Sequence, residues 1–188
     1  ADGAFSDAGA DFVINDTQAG LQASPRVGVQ PGLGAVVVWT DDSRDTDTAH
    51  FGIRGRLLDL TGTPRLNGQD LSDGDFQINT TFNAGQQLPD VAVLADGRFA
   101  VIWQDWSTVD GSGAGIRARL FSATGAAIAT DFSALGDDFA VNTTFWNSQL
   151  RPTICQTGTW FFALWEDESG QTPDEDGAGL RYRLLPGP

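Results

Sequence analysis

Apolar residues in this chain recur either at every second position or in unbroken runs of four to six, and Gly, Pro, Asp and Ser punctuate them. No stretch sustains the 3.6-residue spacing of a helix, so the pattern predicts short strands joined by turns. The pattern also repeats. Phe12-Val13-Ile14-Asn15, Phe76-Gln77-Ile78-Asn79 and Phe139-Ala140-Val141-Asn142 open three units; each Asn is followed seven residues later by Gln (Gln22, Gln86, Gln149) and ten later by Pro (Pro25, Pro89, Pro152). An apolar run then ends in Trp39, Trp103 or Trp165, and after an acidic loop come GIRGRLLD, GIRARLFS and GLRYRLLP. Three landmarks in one order mark an internal repeat.

Each unit reads as four strands: the FxVN run first, Val27 to Val29 or Val91 to Leu94 second, a third ending at the Trp, and the G-[I/L]-R-x-R-L segment fourth. Turns at Pro31-Gly32, Asp96-Gly97 and Thr157-Gly158 join the second strand to the third. Short connections between neighbouring strands favour antiparallel meanders. The expected fold is therefore all-β, three repeats of a four-stranded antiparallel meander, β-propeller-like, with a β-trefoil or β-prism as the alternative. Propellers usually have about four to eight blades, so three units call for a second chain or a longer array. The units run 12–75, 76–138 and 139–188 in a single repeat domain. Residues 1–11 are expected to complete the last unit, because GAFSDAGADF resembles the LSDGDF and ALGDDF that close the first two.

The middle unit, FQINTTFNAGQQLPDVAVLADGRFAVIWQDWSTVDGSGAGIRARLFSATG, and its weaker copies resemble the tandem repeats of about 60 residues in large secreted and surface proteins of bacteria, adhesin-like and RTX-type. The first unit departs from that pattern at QPGLG and the third at QTGTW. The resemblance implies secretion, β-repeat architecture and calcium, and assigns no ligand.

Charge narrows the partners. The 188 residues carry 11 basic and 25 acidic side chains, a net charge of −14. All the basic residues are Arg, and only three of the acids are Glu. Such a surface repels nucleic acid and anionic membranes, and no apolar run is long enough to span a bilayer. The chain holds no Met and starts ADGAFSDAGA, as a processed secretory product does, so an extracellular, periplasmic or cell-surface location is expected. A lone Cys155 excludes an internal disulfide and reads as a small core residue.

The loop after each repeated Trp concentrates oxygen ligands: Asp41, Ser43 and Asp47; Asp105, Ser107 and Asp110; Asp167, Ser169 and Asp176. Carboxylates, hydroxyls and carbonyls suit calcium, so these are candidate calcium loops, and Asx and Ser turns facing water are the bland alternative. The RxR pairs, Arg54 with Arg56, Arg117 with Arg119 and Arg181 with Arg183, share one face of a strand and are expected to pair with Asp of neighbouring units. Trp39, Trp103 and Trp165 are expected in the core. Trp106 and Trp146 have no counterparts and stand in polar stretches, so they are the candidate ligand-binding aromatics, suited to a sugar face. The Asn-x-Thr triplets at Asn15, Asn79 and Asn142 read as turns. The single His50 gives nucleophilic catalysis poor support.

The chain is thus expected to be a non-catalytic exported module for adhesion or assembly, binding a protein partner or surface glycan, as a homo-oligomer or part of a larger assembly. A calcium-dependent lectin and a carboxylate-based glycosidase are the alternatives.

Overall fold

The computed structural model describes residues 11–42, 51–107, 112–171 and 177–187. These residues form eleven strands in three antiparallel sheets. The first sheet holds β1 (Gln22–Gln30), β2 (Gly34–Asp41), β3 (Gly52–Leu58) and β4 (Phe76–Gln77), in that order. The second holds β5 (Gln86–Val93), β6 (Phe99–Asp105), β7 (Gly115–Phe121) and β8 (Phe139–Ala140). The third holds β9 (Gln149–Thr157), β10 (Trp160–Asp167) and β11 (Gly179–Pro186). No described strand is shared between sheets, so the trefoil alternative, which needs a common barrel, does not hold. Among the described residues no helix is long and apolar enough to cross a membrane.

One strand assignment is corrected. The FxVN run does not open its own sheet; Phe76 and Gln77 pair with Gly55 and Arg54, and Phe139 and Ala140 with Ala118 and Arg117, closing the sheet before. The cause is side-chain capping. Asn79 Oδ1 accepts the Ile53 amide at 2.8 Å and Asn142 Oδ1 accepts that of Ile116 at 2.8 Å, so each Asn tethers the short strand backwards.

The core lies between sheets, because every central strand is apolar on both faces. Val36 and Val38 of β2 pack with Phe99, Val101 and Trp103 of β6, and the opposite face of β6, Ala100 and Ile102, packs with Phe161, Ala163 and Trp165 of β10. The repeated Trp residues are buried as expected. Adjacent sheets also meet through their first strands, β1 with β5 and β5 with β9. Each first strand carries a bulge at its repeated Pro, with Ser24, Leu88 and Arg151 in the left-handed region at φ 52°, 52° and 49°.

The RxR pairs lock the sheets. The first Arg holds the Asp that introduces the last strand of its own sheet: Arg54 Nε reaches Asp75 Oδ1 at 2.8 Å and Arg117 Nε reaches Asp138 Oδ1 at 2.8 Å. The second Arg crosses to the previous junction: Arg56 Nη1 donates to Ile14 O at 2.5 Å, Arg119 Nη1 to Ile78 O at 2.8 Å and Arg183 Nη1 to Val141 O at 2.9 Å. The first of these places the residue 12–17 segment against the first sheet, where Asp16 and Asp75 also exchange backbone-to-carboxylate bonds at 2.9 Å. Cys155, expected in the core, is exposed on β9; the equivalent Ala92 is buried because a further sheet covers it.

Candidate functional site

The acidic loops start from a buried network that the repeat builds repeatedly. Gln86 Nε2 donates to Asp105 Oδ1 at 3.0 Å, while Asn79 Nδ2 donates to Gln86 Oε1 at 3.2 Å. Gln149, Asp167 and Asn142 repeat the arrangement at 3.0 Å for both bonds. Ser107 Oγ donates to Asp105 at 2.5 Å and Ser169 Oγ to Asp167 at 2.7 Å, closing a tight turn. Asp41, at the same place in the first unit, accepts the Trp39 indole N–H at 3.0 Å. Asn15, Asn79 and Asn142 each donate to the carbonyl of the Thr two residues on, the expected turn.

Protein donors thus occupy the carboxylates of Asp105 and Asp167. Burial would raise the Asp167 carboxyl, yet Ser169, Gln149 and Arg181 outweigh it and hold it below the usual carboxylate range. Among the described residues no group of three or more His, Cys, Asp or Glu is placed to hold a metal ion. Of the candidate calcium ligands, Ser43, Asp47, Asp110 and Asp176 lie outside the described residues, as does His50.

The networks bring every such loop to one end of the sheets. There the residue after the buried Asp takes a fixed place, its amide bonded to the preceding loop: Asp42 to Leu21 O at 2.9 Å, Trp106 to Gly85 O at 3.0 Å and Glu168 to Ser148 O at 2.9 Å. The scaffold is the same three times and the chemistry is not, giving an aromatic ring between two carboxyl-bearing positions. Trp106 is 42% exposed and Trp146, on the loop between the second and third sheets, 68%. That loop is pinned to the same end, since Ser112 Oγ donates to Phe145 O at 3.0 Å and accepts from the Asn147 amide at 3.1 Å. The structure therefore brings both expected ligand-binding aromatics to one end, and Phe82 and Phe145, on the loops that precede β5 and β9, are also exposed.

A second variable set stands on the first strands, just past the bulges: Arg26, Asp90 and Thr153. Asp90 is the acid of the described first strands, and nothing in the sequence marks it, because its repeat partners are not acids. Its Oδ2 accepts Thr153 Oγ1 at 2.8 Å and the Ile154 amide at 2.9 Å, and Arg26 Nε stands 3.8 Å from its Oδ1. A bulge re-aims the side chain beside it, here toward the neighbouring sheet.

No family model and no curated protein matches the chain. Among solved structures, native Bacillus subtilis arabinanase is similar, with TM-score 0.51 and 11% identity over 88% of this chain and 55% of the arabinanase. The chain thus spans about half the length of that enzyme. This corrects the expectation that the chain is not an enzyme, because the fold it shares is one on which an arabinanase is built. At this identity the likeness is one of fold: three antiparallel sheets of three or four strands, all β, arranged as in part of that arabinanase.

Proposed function

We propose that the three sheets are blades of a propeller-like glycoside hydrolase acting on an arabinan-like polysaccharide, bound across the loop end. The observation that carries this is the fold likeness to an arabinanase together with the breaks in the repeat, Asp42, Trp106 and Glu168 at the loop end and Asp90 further along β5, opposite Ile102. Positions that serve only the scaffold recur with it; those that diverge at an exposed end are free to serve a ligand.

Trp106 and Trp146 offer flat apolar faces for sugar rings, which present C–H groups on one side and hydroxyls at the rim. Glycoside hydrolysis needs one carboxyl to protonate the leaving oxygen and a second to attack the anomeric carbon or activate water. We assign the second role to Asp90, whose Oδ2 accepts Thr153 and Ile154 and whose Oδ1 accepts the Val91 amide with Arg26 beside it, and the first to Glu168, exposed at the loop end. A panel of 4-nitrophenyl glycosides and polysaccharides tests the reading. Turnover of α-L-arabinofuranosides or arabinan supports it; silence across the panel, at every chain concentration tried, contradicts it.

A further inference from the structure

The outer edge of β11 has no partner strand among the described residues, whereas β3 and β7 are closed by β4 and β8. The face beside that edge is apolar and open. Leu180, Tyr182 and Leu184 are 71%, 65% and 47% exposed, while Ile116, Ala118 and Leu120, their equivalents on β7, are buried. The first strand of the first sheet has a complementary exposure: Val27 and Val29 of β1 are exposed, and Val91 on β5, equivalent to Val27, is buried against a sheet.

The two finished junctions show what the open edge is shaped to receive. In the second sheet Asp138 enters a socket in which its Oδ2 accepts the amides of Thr80 and Thr81 at 2.6 and 2.8 Å, and Arg117 clamps its Oδ1. The corresponding place in the third sheet is a cavity of about 440 Å³ lined by Thr143, Thr144, Trp165, Asp167 and Arg181. Within the repeat the residue that stands where Asp138 does is Asp11, followed by Phe12 as Asp138 is by Phe139. Asp11, Phe12 and Val13 are exposed on the first sheet. Another contact is similarly prepared. Thr40 Oγ1 accepts the amide of Leu88 and Gln104 Oε1 that of Arg151, both at 3.2 Å, so each caps the left-handed bulge residue of the next sheet. Glu166 follows in that series, and the bulge residue left for it is Ser24.

From this we infer that the β11 edge is an interaction surface for a second copy of this chain, whose Asp11–Asn15 segment adds as the fourth strand of the third sheet. Asp11 of that copy joins Asp167 on Arg181 and accepts the Thr143 and Thr144 amides, Phe12 covers Tyr182, and Glu166, held by Arg151 through Oε2, caps the Ser24 amide with its other oxygen. The contact is heterologous, joining tail to head, so copies joined this way either close a ring or continue as an open array. The finished junction shows one arginine serving two acids, since Arg117 clamps Asp138 while its Nε stays 3.8 Å from Asp105, and Arg181, already bonded to Asp167, is placed to do the same for Asp11.

The inference is independent of the proposed catalysis and is tested by mass alone. Sedimentation of the native chain at increasing concentration gives a species of twice 20.0 kDa or a larger series. Phe12→Asp and Tyr182→Asp, both at exposed positions, each leave a folded monomer by circular dichroism. Mixing the two variants restores one junction and gives a dimer, since each supplies the half that the other lacks. A native chain that stays monomeric at all concentrations overturns the inference. So do variants that associate as well as the native chain, or a mixture that remains monomeric.

Discussion

Arg119 on β7 donates through Nη1 to the carbonyl of Ile78, 2.8 Å away in the segment that closes the first sheet, and through Nε to Gly136 O at 2.7 Å. One guanidinium on the second sheet thus ties it to the segment that closes the first. Burial lowers the pKa of this side chain while Asp138 and Asp137 raise it, the net shift being downward. Lysine cannot stand in for it, since a single ammonium does not present two divergent donors in a fixed plane.

Removing this tie leaves two buried carbonyls without donors. Arg119→Met is expected to cost about 2–4 kcal/mol, and Arg119→Lys to recover only part of it. Chemical denaturation of the three proteins checks the order, native above Lys above Met.

Asp138 carries the pH dependence of the same junction. Burial pushes its carboxyl up, but Arg117 and the Thr80 and Thr81 donors pull it further down, so it titrates below its unfolded value of about 3.9. In that window the unfolded chain binds more protons, so the stability from Asp138 is present above about pH 4 and is lost as pH falls through the folded value. Asp138→Asn should be less stable at neutral pH and should lose less between about pH 5 and pH 2. Thermal melts across that range measure both slopes.

The repeat supplies its own control for the Asn-Gln-Asp network. Gln86 is fully buried and bonds Asn79, Asp105 and two loop carbonyls, whereas Gln22 is half-buried and bonds Ala19 O. Gln86→Leu is expected to destabilise by about 2–3 kcal/mol and Gln22→Leu by under about 1 kcal/mol. Equal effects in urea denaturation would count against the network.

Gly34 ends the first hairpin turn at φ 130°, and a Cβ built there would collide with Leu58 O and lie 2.5 Å from the carbonyl carbon of Asp59. Backbone cannot give way as a side chain does. Gly34→Ala is therefore expected to lower stability by more than about 2 kcal/mol, read as a fall in melting temperature.

Much of this is legible in the residues themselves. The triple FxVN, Trp and RxR landmarks locate the hairpins, but the expected pairing of the arginines with Asp of neighbouring units is met differently: Arg54 and Arg117 hold Asp75 and Asp138 of their own units, and Arg56, Arg119 and Arg183 donate to backbone carbonyls across the junctions. The place of the FxVN strand is not legible, because a two-residue strand between short loops can pair forward or back, and the choice rests on the bonds from Asn79 and Asn142 to the strand behind. Cys155 misleads for a related reason: its apolar neighbourhood matches that of buried Ala92, but burial there depends on a following sheet. The Asp two residues after each repeated Trp is buried and belongs to the scaffold rather than to a ligand loop. Asp90 gives no signal, since three equivalent positions hold Arg, Asp and Thr and only the bulge reveals their common place.

The central claim, carbohydrate hydrolysis at the loop end, is tested most directly by reducing-end release from arabinan by the native chain and by Asp90→Asn. The native chain is expected to release reducing ends, and Asp90→Asn to lose about 10²–10⁴-fold of that rate with unchanged circular dichroism. Release by Asp90→Asn at the native rate, or none by the native chain, would contradict it.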